Sequence, residues 1–113
     1  MDLSGERIVK NAKLQYFIYV YTIINVNITF DAAKNEVNIA KHAVSLALAA
    51  EFEWESAVTW PDTRKDDGEA RVACLGYAGL RIYAMVFVDR MNERRIISLR
   101  KANRREVERY AQT

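Results

Sequence analysis

Three runs between residues 69 and 101, "EARVACLGY" (69–77), "LRIYAMVFVD" (80–89) and "RRIISLRK" (94–101), are rich in β-branched and aromatic residues and alternate polar with apolar positions. A period of two over this length marks strands. The connections at Ala78-Gly79 and at Arg90-Met91-Asn92-Glu93 are short enough for hairpins, so the runs form an antiparallel meander. In the middle run Leu80, Ile82, Ala84, Val86 and Val88 share one face, which reads as pure core, while Arg81, Tyr83, Met85 and Phe87 share the other.

Upstream the period is helical. In "FDAAKNEVNIAKHAVS" Ala33, Val37, Ile39 and Ala40 recur on one side, Lys34, Glu36, Asn38 and Lys41 point elsewhere, and Asp31 is placed as an N-cap; the pattern predicts a helix to about His42. Ser45 then caps a second short helix in "LALAAEFEW", whose buried side is Leu46, Ala49, Ala50 and Phe52. Pro61 and "DTRKDDGEA" mark a surface loop. After the last strand, Asn103 and Glu106 have the spacing of a capping box and open a C-terminal helix carrying Arg104, Arg105, Arg109 and Tyr110. With "LQYFIYVYTII" (14–24) as an apolar first strand, the fold class is α+β: a strand, two helices, an antiparallel meander of three to four strands, and a helix.

Composition limits this picture to one domain, since 113 residues, half of them apolar, bury a single modest core. The leading apolar run is about half the ~20 residues a membrane helix needs and has no cleavage-site pattern, so no membrane partner is expected. The single cysteine, Cys74, sits in an apolar strand and reads as a buried thiol in a reducing, cytoplasmic setting. Asp62, Asp66, Asp67 and Glu69 lack the spacing of a calcium loop and read as solvated; no metal and no cofactor are expected. Internal repeats, Gly-rich phosphate loops and Ser-His-Asp arrangements are absent from the sequence.

Charge changes the picture more. The net +2 divides unevenly: residues 90–113 hold eight Lys or Arg against three Glu, a balance of +5, which leaves −3 for residues 1–89. Arginine concentrated at one end of a mildly acidic domain suits a polyanion, because each guanidinium offers a planar fork of donors to phosphate oxygens.

Three segments in order, "ITFDAAKNEVNIAKHAVS", "EARVACLGY" and "RRIISLRKANRREVERY", resemble the opening, central and closing signatures of the BrnT-type toxins, over roughly residues 27 to 110. The resemblance implies a RelE-like fold and a ribonuclease that inhibits translation by cutting RNA. It also implies a cognate BrnA-like antitoxin with a ribbon-helix-helix part, through which alone the pair would meet operator DNA. The chain departs from the family pattern at Ala43, where Gly is usual, at Leu46, where Phe is usual, and in "ITFD", which lacks a Trp. If position 43 needs a positive φ, alanine there costs about 1 kcal/mol. The family domain would be residues 26–113, leaving 1–25 as an extension: either a start placed too early, with initiation at a GUG codon for Val26, or an added strand.

Cutting RNA without a metal requires activating the 2′-hydroxyl, stabilising charge on a phosphorane-like transition state and protonating the 5′-oxygen that leaves. Arg71 and Arg100, in strands within the matched segments, are the candidates for the charge. His42, the sole histidine, suits proton transfer, and Glu69, placed on the strand face of Arg71, would serve as a base. Arg81, Ser98, Lys101, Arg104 and Arg105 are candidates for RNA contacts; Ser98 shares the face of Arg100 by the two-residue period, whereas Arg95 points the other way. Two other readings stand beside this one: a catalytically inactive module that binds nucleic acid or an antitoxin, and a plain protein-interaction module.

Overall fold

The computed structural model describes residues 27–64 and 68–113. Five strands, β1 (Asn27–Thr29), β2 (Val58–Pro61), β3 (Arg71–Ala78), β4 (Arg81–Arg90) and β5 (Glu93–Lys101), form one sheet in the order β1-β5-β4-β3-β2. Strands β2 to β5 are an antiparallel meander, and β1 lies parallel to β5. Helix α1 (Ala32–His42) follows β1, 3-10 turns at Leu46–Glu51 and Trp54–Ser56 lead into β2, and helix α2 (Arg104–Ala111) closes the chain. The sheet is therefore mixed, and its fourth meander strand, β2, is a segment without a clear strand pattern of its own. Pro61 ends β2 on the sheet edge, where its missing N–H costs no ladder bond. The expected strand at 14–24 and the domain boundary at Val26 lie outside the described residues.

One face of the sheet carries the larger core. Cys74, Met85, Phe87, Ile96 and Leu99 pack there against Val44, Leu46, Ala49, Phe52 and Trp54. Phe52, Trp54 and Phe87 meet edge to face, with ring centroids 4.8 and 5.5 Å apart, a geometry worth about 0.5–1.5 kcal/mol per pair beyond burial. Gly76 is required here, because a Cβ would stand 2.5 Å from the Phe52 ring. The second core, Leu75, Tyr77, Ile82 and Tyr110, lies under α2, where the Tyr110 hydroxyl donates to the Ser56 carbonyl at 2.8 Å. Among the described residues helix α2 covers only that end, and the rest of this face is an open recess in which Ala73, Val86 and Val88 are still buried.

That division corrects the expected core. On the face of β4 read as pure core Ile82, Val86 and Val88 are buried, but Leu80 is 61% exposed in a turn, and the bulky Met85 and Phe87 opposite are nearly inaccessible, so both faces hold core. Residues of α1 depart further: Val37 and Ile39 are exposed, Ala33 and Ala40 likewise, and the one buried residue is Asn38. The cause is what α1 packs against. Strand β1 stops opposite Arg95, so β5 continues with a bare edge. Asn38 covers it by donating from Nδ2 to the carbonyls of Leu99 (2.7 Å) and Val44 (2.8 Å) and accepting the Leu99 N–H at Oδ1 (3.2 Å). A helix docked on backbone edge rather than on a sheet face buries an amide in place of an aliphatic stripe.

A β-bulge re-aims the last strand. The β4–β5 register shifts between Val86 and Phe87: Val86 pairs with Ser98 but Phe87 with Ile96, leaving Ile97 extra. One inserted residue exchanges the faces of everything before it. Arg95, expected to point away, therefore joins Ser98 and Arg100 on the open face. Arg94 goes to the core face, where its guanidinium lies 4.7 Å from the Trp54 ring and 4.2 Å from Phe87 and pairs with Asp89 at 2.7 and 2.9 Å.

The caps follow the sequence. Asp31 accepts the Lys34 N–H at 3.0 Å, Ser45 caps the first 3-10 turn, and Asn103 and Glu106 exchange both capping-box bonds at 2.9 Å. The second helix is 3-10 rather than α, with Ala50 exposed. Ala43 ends α1 at φ 57° and ψ 30°, the left-handed conformation that glycine adopts at no steric cost.

Candidate active site

The open face is a trough. Its floor is the row Trp60, Ala73, Val86, Ser98, paired strand to strand, and its neighbour is the row Val58, Leu75, Ala84, Arg100. Small side chains at Ala73, Ala84, Val86 and Ser98 leave a cavity of about 520 Å³, walled by Trp60, Arg64, Arg100, Glu106 and His42. A second cavity of about 350 Å³ continues past His42 and Ser98 between α1 and the sheet, lined by Lys34, Lys41 and Arg71. His42 and Ser98 border both, so the two cavities adjoin along one groove side of the sheet.

Arg100 is held by Glu106. Its Nη1 donates to Glu106 Oε1 at 2.8 Å, Nη2 to Oε2 at 2.9 Å, and Nη1 also approaches the Lys101 carbonyl at 3.3 Å. The same Glu106 Oε1 accepts the Asn103 N–H, so the guanidinium is tied to the first turn of α2. Bonding to Arg100, helped by the Asn103 N–H, holds the Glu106 carboxyl below the usual range, and the pair raises Arg100 in turn. Both groups are thus ionised at neutral pH, and about a third of the Arg100 side chain remains exposed to the groove.

The other expected residues divide by register. His42, half-buried, reaches the groove from the end of α1. Arg71 and Arg95 flank Val88 in one row, so two arginines stand at the end of the trough opposite Arg100. Arg95 Nε lies 3.6 Å from Glu93 Oε1, within ion-pair range but beyond a hydrogen bond. Glu69 falls before β3 and pairs with Arg90. Arg90 is six residues along β4 from the Ala84 that pairs with Arg100, about 20 Å at strand rise, so Glu69 and Arg100 do not share a site. Arg81 and Lys101 project from the opposite face, with Tyr83. Arg104 and Arg105 are exposed on α2, Arg104 pairing with Glu108 at 3.3 Å.

Asp62, expected to be solvated, is half-buried and paired at the surface with Arg64, whose two bonds of 2.8 and 2.9 Å depress its carboxyl. Cys74 is 1% exposed, and burial pushes its thiol up to about 12, which makes it inert. Among the described residues no three His, Cys, Asp or Glu side chains cluster as metal ligands, and no helix is long and apolar enough to cross a membrane.

Sequence reasoning missed Trp60, Arg64, Lys34 and Lys41 as groove residues and misplaced Arg95. One signal was present: Lys34, Asn38, Lys41 and His42 stand at i, i+4, i+7 and i+8, a polar helical stripe that borders the second cavity.

A trough with a floor of small side chains and a rim of arginine, lysine and one histidine presents donors of the kind that phosphate oxygens accept from. The sequence profile of the BrnT ribonuclease toxins of type II toxin-antitoxin systems matches residues 30–106, and the chain belongs to that family. It is thus a toxin of the ribonuclease type. A search of curated proteins found no match.

Proposed function

We propose that this chain cuts RNA in the trough without a metal ion, arrests translation in the cytoplasm by doing so, and is neutralised by a cognate BrnA-like antitoxin with a ribbon-helix-helix part. In this reading the fold is of the RelE type. The observation that carries the reading is the Arg100–Glu106 clamp, which presents a preorganised guanidinium at the mouth of an Arg-rich groove. Guanidinium N–H groups aimed where charge develops stabilise a phosphorane more than the ground-state phosphate, and they need no reorganisation.

The strand runs along the groove, with Arg71, Arg95, Lys34 and Lys41 holding the backbone on one side of His42 and Arg100 receiving the reacting phosphate on the other. His42, the imidazole that borders the groove, is the group assigned the proton transfer. The 2′-hydroxyl proton passes to the His42 imidazole as its oxygen bonds to phosphorus and the bond from phosphorus to the 5′-oxygen breaks, and the imidazolium returns a proton to that leaving oxygen, giving a 2′,3′-cyclic phosphate and a 5′-hydroxyl. Inducible expression of the full chain, wild type beside Arg100→Ala, tests this. Growth arrest with fragmented RNA in EDTA-quenched samples from the wild type alone supports the reading; a folded wild type that leaves growth and RNA intact rejects it in favour of a binding-only module.

A further inference from the structure

Trp60 has no task in the chemistry above, yet its placement is specific. It sits on the edge strand β2 with its side chain on the groove face, half-buried at one end of the row Trp60, Ala73, Val86, Ser98. Three strand spacings separate Trp60 from Ser98, about 14 Å between backbones, and only a methyl and an isopropyl group stand between them. One side of the indole carries the Arg109 guanidinium, 4.0 Å from the ring centroid, and the ring also borders the cavity. The cavity, about 520 Å³, has the size of a small-ligand site, and its opposite wall carries Arg100.

From this arrangement we infer that Trp60 is a stacking platform for one unpaired nucleobase of the RNA, adjacent to the phosphate held by Arg100, and that Arg109 fixes the ring for that purpose. The inference rests on the proposed RNA groove and names one subsite within it. An aromatic face beside a phosphate-binding arginine is the arrangement by which single strands are gripped. A base in a duplex has its faces covered by neighbouring pairs, so the subsite selects single-stranded RNA. The floor beside the ring is Ala73 and Val86, with the polar Arg64, Ser98, Arg100 and Glu106 around it; stacking on the ring itself distinguishes a base from no base more than one base from another. Arg109 withdraws the indole from free rotation, which lowers the entropy lost on stacking.

The chain contains two tryptophans, and Trp54 is buried beneath the opposite face, so a fluorescence change on binding reports Trp60. The test titrates the full chain with uncleavable 2′-O-methyl RNA trinucleotides, intact or with an abasic central residue. The intact trinucleotides should quench Trp60 and bind on the order of tenfold more tightly than the abasic ones. Trp60→Ala should abolish that difference, Trp60→Phe should keep most of it, and Arg109→Ala should reduce it. Equal affinity of wild type for intact and abasic trinucleotides would overturn the base subsite while leaving the phosphate groove standing. No binding of either would overturn both. The wild-type comparison needs no substitution, so it decides the matter even if Trp60→Ala folds poorly.

Discussion

The guanidinium of Arg100 and the carboxylate of Glu106 meet through two parallel bonds of 2.8 and 2.9 Å, and the same carboxylate caps helix α2. One residue thus begins the final helix and aims the arginine that precedes it.

Glu106→Gln separates these tasks. The amide oxygen still accepts the Asn103 N–H, so α2 persists, but the charged fork is lost. Turnover should fall on the order of a hundredfold with KM nearly unchanged, as for a group misplaced by an ångström; steady-state cleavage of a fluorogenic oligoribonucleotide checks it. The same substitution has an acid signature. Native Glu106 is held below its unfolded pKa by Arg100, so its contribution is complete above about pH 4.3 and is lost as pH falls through the lower native value. Urea midpoints from pH 7 to pH 2.5 should therefore fall more steeply for wild type than for Glu106→Gln.

Asn38→Ala should cost about 2–4 kcal/mol, because it strands the Leu99 N–H and two carbonyls against an apolar core. Thermal denaturation of the pure variant measures this. A loss below about 0.5 kcal/mol, the scale of an ordinary surface change, would mean that this amide does not seal the edge of β5.

Arg94 and Arg95, neighbours in sequence, should behave oppositely. Arg94→Ala removes a guanidinium stacked on Trp54 and Phe87 and should destabilise the fold by about 1–2 kcal/mol. Arg95→Ala should leave the melting temperature near wild type, weaken RNA binding and reduce the slope of log affinity against log salt by about one. Salt-dependent titrations together with melts distinguish the two, and reversed phenotypes would place the bulge elsewhere.

Ala43→Gly should stabilise the protein by about 1 kcal/mol, relieving a left-handed alanine at φ 57°. Met91 is 99% exposed at φ 47° in the β4–β5 turn, and Met91→Gly should contribute similarly, adding nearly independently. Denaturant midpoints at constant m check both.

Much of this architecture is legible in the sequence where local rules decide it. Asp31, Ser45 and the Asn103/Glu106 pair announce their helices because a cap needs only nearby backbone. Strands β3 to β5 follow from alternation. What stays hidden depends on tertiary register. Nothing in "RRIISLRK" marks Ile97 as the inserted residue, and that insertion decides which arginine enters the groove. Asn38 reads as a solvent-facing polar residue until the bare edge of β5 is known. Val37 and Ile39 read as core because a helix is assumed to pack on a sheet face. Arg100, Ser98 and His42 are legible as groove residues, since no irregularity separates Ser98 from Arg100 and His42 ends a well-marked helix. Glu69 is not, because the strand assumed to carry it begins at Arg71.

The most direct measurement is the rate at which purified full-length protein cleaves a single-stranded RNA in EDTA, wild type against Arg100→Ala and Arg100→Lys, with circular dichroism verifying the fold of each. Arg100→Ala should lose at least about a hundredfold, and Arg100→Lys, which keeps charge but not the fork, should recover only a small part. Wild-type cleavage by folded Arg100→Ala would contradict the placement of the reacting phosphate at Arg100 and move it to the Arg71–Arg95 end of the trough.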